Sequence, residues 1–170
     1  MQRYVCAYTL IELLTTMTIT SVVLSTGMPA LTEMRHNQKL RTASNDLLSS
    51  AVLARSEAVK RNRPVLVKAR NGDWNRGWIV FADLNDNADF ESGEPLIAQL
   101  DTPDGIMIKG NAPVARYLRY TPTGQTKRLG GAFQAGTLRL CHSSGKPPIR
   151  RLVLSATGRL RSAVDKPGNC

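Results

Sequence analysis

The 170-residue chain predicts an α+β protein: one long N-terminal helix followed by a domain of short antiparallel strands. Three observations predict it. Residues 10–28 form an apolar run with a single ionisable side chain, Glu12. Residues 35–62 then carry apolar side chains at steps of three and four. Beyond Pro64 the period falls to two, and turn signals recur at short intervals.

The apolar run comes first. A span of ~19 residues at about 1.5 Å rise is long enough to cross a hydrocarbon core. A lone carboxylate so near its start is costly there and marks a function. A cleaved secretory signal would have an apolar core without Glu12 and a small-x-small site after it, and neither is present. An ordinary anchor has no need of Glu12. Thr15, Thr16, Thr18, Thr20, Ser21, Ser25 and Thr26 also make the span weakly hydrophobic, which suits a helix that leaves the bilayer as well as sitting in it.

The stretch Ala7-Tyr8-Thr9-Leu10-Ile11-Glu12-Leu13-Leu14 resembles the class III leader of type IV prepilins and pseudopilins. The resemblance implies that a prepilin peptidase cuts after Ala7, which stands where Gly is usual. Tyr8 then becomes the methylated N-terminus and Glu12 the fifth residue of the mature chain. An acid there is favoured by the helix dipole and is placed to pair with the α-amino group of a neighbouring subunit. Pro29 falls where pilin helices kink, and Gly27 eases a local bend. Arg3 is the only basic side chain before the span, while Arg35, Lys39 and Arg41 follow it. The positive-inside rule alone therefore favours the opposite topology to the one the leader implies.

From residue 35 to about 62, Leu40, Ala43, Leu47, Ala51, Ala54 and Ala58 share one helical face. Their small size lets a sheet or a helix approach closely. Arg41, Asn45, Glu57 and Lys60 fill the other side, His36 is read as facing solvent, and Arg63-Pro64 ends the helix. Ala54-Arg55-Ser56-Glu57-Ala58 with Pro64-Val65 resembles the minor pilin family of FimT, FimU and the secretion pseudopilin GspH. Strands are then expected at about 65–70, 77–84, 96–100, 105–109, 116–120, 136–142, 149–155 and 158–163, as one antiparallel sheet wrapped against the helix. Residues 130–131 and 146–148 read as loops within one domain.

One loop has metal-ligand spacing. Asp83, Asn85, Asn87, Asp89, Glu91 and Glu94 occupy positions one, three, five, seven, nine and twelve of an EF-hand-like series. Ala88 stands where such a loop needs Gly, and the preceding segment reads as strand, so Asx turns in a hairpin explain the same residues without a metal. The segment also resembles a structural hairpin of the same minor pilin family. With Cys6 removed in the leader, Cys141 and Cys170 are left as a pair, which in an exported domain predicts a disulfide closing a loop of about 30 residues. His36 and His142 are the only histidines, so neither a zinc site nor a catalytic histidine constellation is indicated. No nucleophile elbow, phosphate loop or cofactor motif is present, and the chain reads as no enzyme, without a small-molecule substrate.

Charge is the remaining signal. From residue 105 onward, twelve Lys or Arg face the single acid Asp165, a net +11 in a chain whose total is +10. Such asymmetry points to a polyanion or an anionic surface. Within it, Arg159 and Arg161 in Gly158-Arg159-Leu160-Arg161 would project to one side if extended, with Leu160 inward and Arg150 and Arg151 nearby. Gly-Arg-x-Arg near the C-terminus resembles a motif that FimT-like minor pilins use to bind DNA during natural transformation. The same arginines would also serve simply to discourage edge-to-edge strand pairing.

These readings divide the chain into a cleaved leader at 1–7, a helix at 8–62 whose half at 8–31 spans the inner membrane, and a periplasmic sheet domain at 63–170. The resemblance implies a pilin-like fold and a minor pilin or pseudopilin, assembled with major and minor pilins at the tip of a pilus or a type II secretion pseudopilus and priming assembly there. The alternative function is a tip-located receptor that binds DNA without sequence preference.

Overall fold

A computed structural model describes residues 9–168 and 170, so Ala7 and Tyr8, on which the leader reading rests, lie outside the described residues. One helix, α1 (Leu10–Arg61), precedes eight strands: β1 (Val65–Ala69), β2 (Trp78–Ala82), β3 (Leu96–Leu100), β4 (Ile106–Gly110), β5 (Tyr117–Tyr120), β6 (Gly136–His142), β7 (Pro148–Leu154) and β8 (Leu160–Pro167). The chain divides into two compact units, the first ending at Arg35 and the second running from His36 to Cys170.

In the first unit, Thr9 caps the helix, its Oγ1 accepting the Glu12 amide at 3.3 Å. The helix is long and apolar enough to cross a membrane, and its apolar side chains from Leu10 to Met34 are exposed. Its hydroxyls do not stand free. Those of Thr15, Thr16, Thr18, Thr20, Ser21, Ser25 and Thr32 each donate to a carbonyl three or four residues back, at 2.6–3.0 Å. Such back-bonding hides the polar groups from hydrocarbon and makes a Thr-rich span tolerable there. Pro29 lies inside the helix.

In the second unit, the helical residues Leu40, Ala43, Leu47, Ala51, Ala54 and Ala58 are all at most 1% exposed, because the alanine stripe lets two sheets close over it. The expected single sheet is in fact two, both antiparallel, with strand orders β3-β2-β1-β5 and β4-β6-β7-β8. Val65, Val67, Trp78, Val80, Leu118 and Tyr120 of the first meet Ile108, Leu138, Leu140, Leu152 and Leu154 of the second in one core. Both buried indoles are satisfied within it: the Trp78 N–H donates to the Ser50 hydroxyl at 2.9 Å, and the Trp74 N–H to the Val114 carbonyl at 3.1 Å. The helix ends by backbone geometry as well as by Pro64. Asn62 adopts φ 50, its N–H bonds the Val59 carbonyl, and the Arg63 N–H reaches back to Ala58, the double bond of a Schellman cap. Cys141 on β6 forms a disulfide with Cys170, Cα to Cα 5.7 Å.

His36 does not simply face solvent. It is half-buried and stacks on His142, with ring centroids 3.9 Å apart and planes inclined by 21°. The Ser144 N–H donates to His142 Nδ1 at 3.1 Å, so that nitrogen carries no proton. Burial, then the charges of His36 and Lys39, lower the pKa of His142 below the ordinary histidine value. The unfolded chain therefore takes up this proton first on acidification. The stabilising contribution is complete above about pH 6.5 and is lost as pH falls below it. The urea midpoint is expected to drop between pH 7.5 and pH 5.5 by more in the wild type than in His142→Gln; equal drops would show that the stack does not govern it.

Candidate polyanion interface

The two sheets present different outer faces. On the first, Leu66 and Phe81 form a small cluster with Ala88. The acidic loop 83–94 folds over this cluster, Phe90 meeting Phe81 edge-on at 5.3 Å. Its carboxylates are occupied by the backbone. Buried Asp83 accepts the amides of Asp86 at 2.7 Å, Asn87 at 3.3 Å and Ala88 at 3.0 Å, while Glu94 accepts those of Leu84 and Glu91. The Asn85 and Asn87 side-chain amides donate to Glu91, Lys68 pairs with Asp89 and Arg119 with Asp86. These oxygens act as turn caps and clamps, and among the described residues no group of three or more His, Cys, Asp or Glu is placed to hold a metal. A groove of about 850 Å³ beside the loop has Lys68, Arg70, Ile79, Gln99, Arg116 and Tyr117 in its lining. Asp89 and Asp101 already neutralise two of its cations.

The outer face of the second sheet is cationic by register. Leu138 pairs with Leu152 across β6 and β7, and both are buried, so their odd-numbered neighbours face outward. Arg139 is thereby opposite Arg151, and Lys109 on β4 is opposite Arg139. Three cations thus stand in one row on adjacent strands, at the ~4.5–5.5 Å Cα spacing of directly opposed residues. Arg161 on β8, opposite Val153, adds a fourth. Like charges directly opposite each other destabilise a sheet. Partial relief comes from Asp165, whose Oδ1 lies 3.3 Å from an Arg151 nitrogen, and from the Cys170 carbonyl oxygen, which accepts from Lys109 at 3.1 Å. Arg150 does not belong to this face. It is opposite buried Leu140 and so shares the core-facing side.

Gly158 fixes where Arg159 and Arg161 emerge. Its φ is +82, and a Cβ there would lie 2.1 Å from the Gly124 carbonyl oxygen. Its N–H bonds the Ser155 carbonyl at 2.9 Å, and the Ser155 hydroxyl accepts the Arg159 amide at 3.2 Å. Leu160 packs against the core, leaving Arg159 and Arg161 exposed on either side of it. Lys109 and Arg139 were missed in the sequence because their membership depends on strand pairing. Alternation alone separates Arg150 from Arg151.

Glu12 lies in the first helical turn and is exposed. The sequence profile of one family, described as type II transport protein GspH, matches residues 43–158. The fold is similar to the type IV minor pilin FimU of Pseudomonas aeruginosa, with a TM-score of 0.57 and 22% identity over 74% of this chain and 89% of that one. It is also similar to the minor pseudopilin EpsH from the type 2 secretion system of Vibrio cholerae, with a TM-score of 0.55 and 14% identity over 74% of this chain and 97% of that one. No curated protein sequence matches.

Proposed function

Because the chain belongs to the GspH family, we propose that it is a minor fibre subunit of a type IV pilus or a type II secretion pseudopilus. It is held in the inner membrane with its second unit periplasmic, cleaved by the prepilin peptidase between Ala7 and Tyr8, methylated at Tyr8, and placed among major and minor pilins at the fibre tip, where it primes assembly. The observation that carries this reading is the exposed apolar helix that opens on Glu12. Its surface needs either lipid or other helices around it, and a fibre core of packed pilin helices supplies the second. A carboxylate in its first turn is costly once removed from water unless a cation meets it, and on this reading the new α-amino group of an adjacent subunit is that cation. In a strain lacking this protein, Glu12→Ala supplied in its place is expected to be cleaved and to accumulate in the membrane while fewer than about a tenth of wild-type levels enter sheared fibres. Normal incorporation of the variant would refute the pairing role.

A second reading is favoured by the cation row. Three like charges aligned across adjacent strands weaken a sheet, and an external polyanion relieves them. On this reading the subunit also binds DNA without sequence preference, through Lys109, Arg139, Arg151, Arg159 and Arg161.

A further inference from the structure

Residues 126–134, between β5 and β6, form a small hairpin with a rigid base and an apolar tip. Gln134 is fully buried: its Oε1 accepts the Arg119 amide at 2.9 Å, and its Nε2 donates to the carbonyls of Pro113 and Tyr117 at 2.8 and 2.9 Å. Thr126, also fully buried, donates its hydroxyl to the Gln134 carbonyl at 2.7 Å. The Thr126 amide bonds the Ala156 carbonyl, which seats the hairpin beside the turn that launches Arg159. The tip closes with the Arg128 amide on the Ala132 carbonyl at 2.8 Å and the Gly131 amide on the Arg128 carbonyl at 2.9 Å.

Phe133 is bridged to Lys127 and is 66% exposed, the most exposed large apolar side chain in the second unit among the described residues. The Lys127 ammonium sits 5.9 Å from its ring centroid. Arg128 is exposed at the tip, and no Asp or Glu occurs between Asp104 and Asp165. An aromatic ring held out on a fixed base, with the Lys127 ammonium beside it and Arg128 exposed at the tip, suits a partner that combines negative charge with flat apolar faces. Leu129 lines the groove over the first sheet instead, and Phe133 is the one aromatic side chain of the hairpin. One ring is marginal for holding a protein on a bilayer and sufficient for a nucleobase.

We propose that this hairpin is a stacking finger for unpaired nucleotides, with Phe133 against a base and Lys127, Arg128 and Arg159 on the flanking phosphates. The proposal rests on the nucleic-acid reading above and narrows it to single strands, frayed ends and gaps. Duplex DNA keeps its bases stacked on each other and meets the arginines alone.

The test uses the full-length protein in detergent micelles, titrated with fluorescent oligothymidylate and with a blunt duplex of equal length. Phe133→Ala is expected to weaken oligothymidylate binding about 5- to 100-fold and to leave duplex binding within about twofold, whereas Phe133→Trp retains wild-type affinity. The exposed side chain can be removed without harming the fold, and equal melting temperatures check that. If Phe133→Ala binds oligothymidylate as wild type does while arginine neutralisation abolishes binding, the finger is refuted and the polyanion face stands. If the wild type binds neither nucleic acid, the underlying reading fails and takes the finger with it. If Phe133→Ala instead releases the protein from phosphatidylglycerol vesicles and leaves oligothymidylate binding unchanged, the partner is a lipid surface and the proposal is overturned.

Discussion

Replacing Arg139, Arg151 and Arg161 together by glutamine is expected to weaken DNA binding about a hundredfold or more near 50 mM salt. Each phosphate contact releases a counterion, so the logarithm of affinity falls against the logarithm of salt with a slope of about −0.9 per contact. The five cations predict a wild-type slope between about −4 and −5, and the triple variant, keeping Lys109 and Arg159, a slope near −2. The same substitutions relieve the opposition of Arg139 to Lys109 and to Arg151. They also release Asp165 from Arg151, so folding stability is expected to stay level or to rise slightly. Loss of binding without loss of stability would mark the row as kept for a partner. An unchanged affinity and slope would show that the phosphates go elsewhere.

Gly158→Ala is expected to cost about 3–4 kcal/mol of stability, near half of what a domain of this size commonly has. Part is the left-handed backbone, about 1–2 kcal/mol for a residue with a Cβ. The larger part is the Gly124 carbonyl oxygen 2.1 Å from the new atom, because both sides of that contact are backbone and neither can swing away. Gly131 provides the control. It has the same φ of +82 and nothing within 4 Å of its ideal Cβ, so Gly131→Ala should lose only the conformational part. Urea midpoints of the two variants measure the difference, and equal midpoints would mean that the Gly124–Gly158 approach is unimportant. Where it matters, Gly158→Ala also displaces Arg159 and weakens DNA binding beyond what its stability loss explains.

Much of the architecture is legible in the amino acids because period reports face. The alanine stripe of α1 is buried residue for residue, and the stretches read as strands fall on β1 to β8 to within a few residues. Period does not report partners. Nothing local in β4 and β6 says that they pair, so neither the second sheet nor the alignment of Lys109 with Arg139 and Arg151 could be seen. His36 reads as solvent-facing for the same reason, its partner His142 being distant in the chain. The Schellman cap at Asn62 was readable, since Asn tolerates the left-handed region, but Pro64 offered a simpler stop. The acidic loop shows the opposite case: its spacing suggests ligands, while its oxygens are spent on neighbouring amides.

The bond from Cys141 to Cys170 makes the protein's durability depend on its address. Closing a loop with a sequence separation of 29 contributes about 3–4 kcal/mol, and each ~1.4 kcal/mol is tenfold in an equilibrium. A copy stranded in a reducing compartment would open some hundreds of times more often than one that has reached an oxidising one. Proteases act on the open form, so a copy with the bond reduced would be cleaved more readily than one with the bond formed.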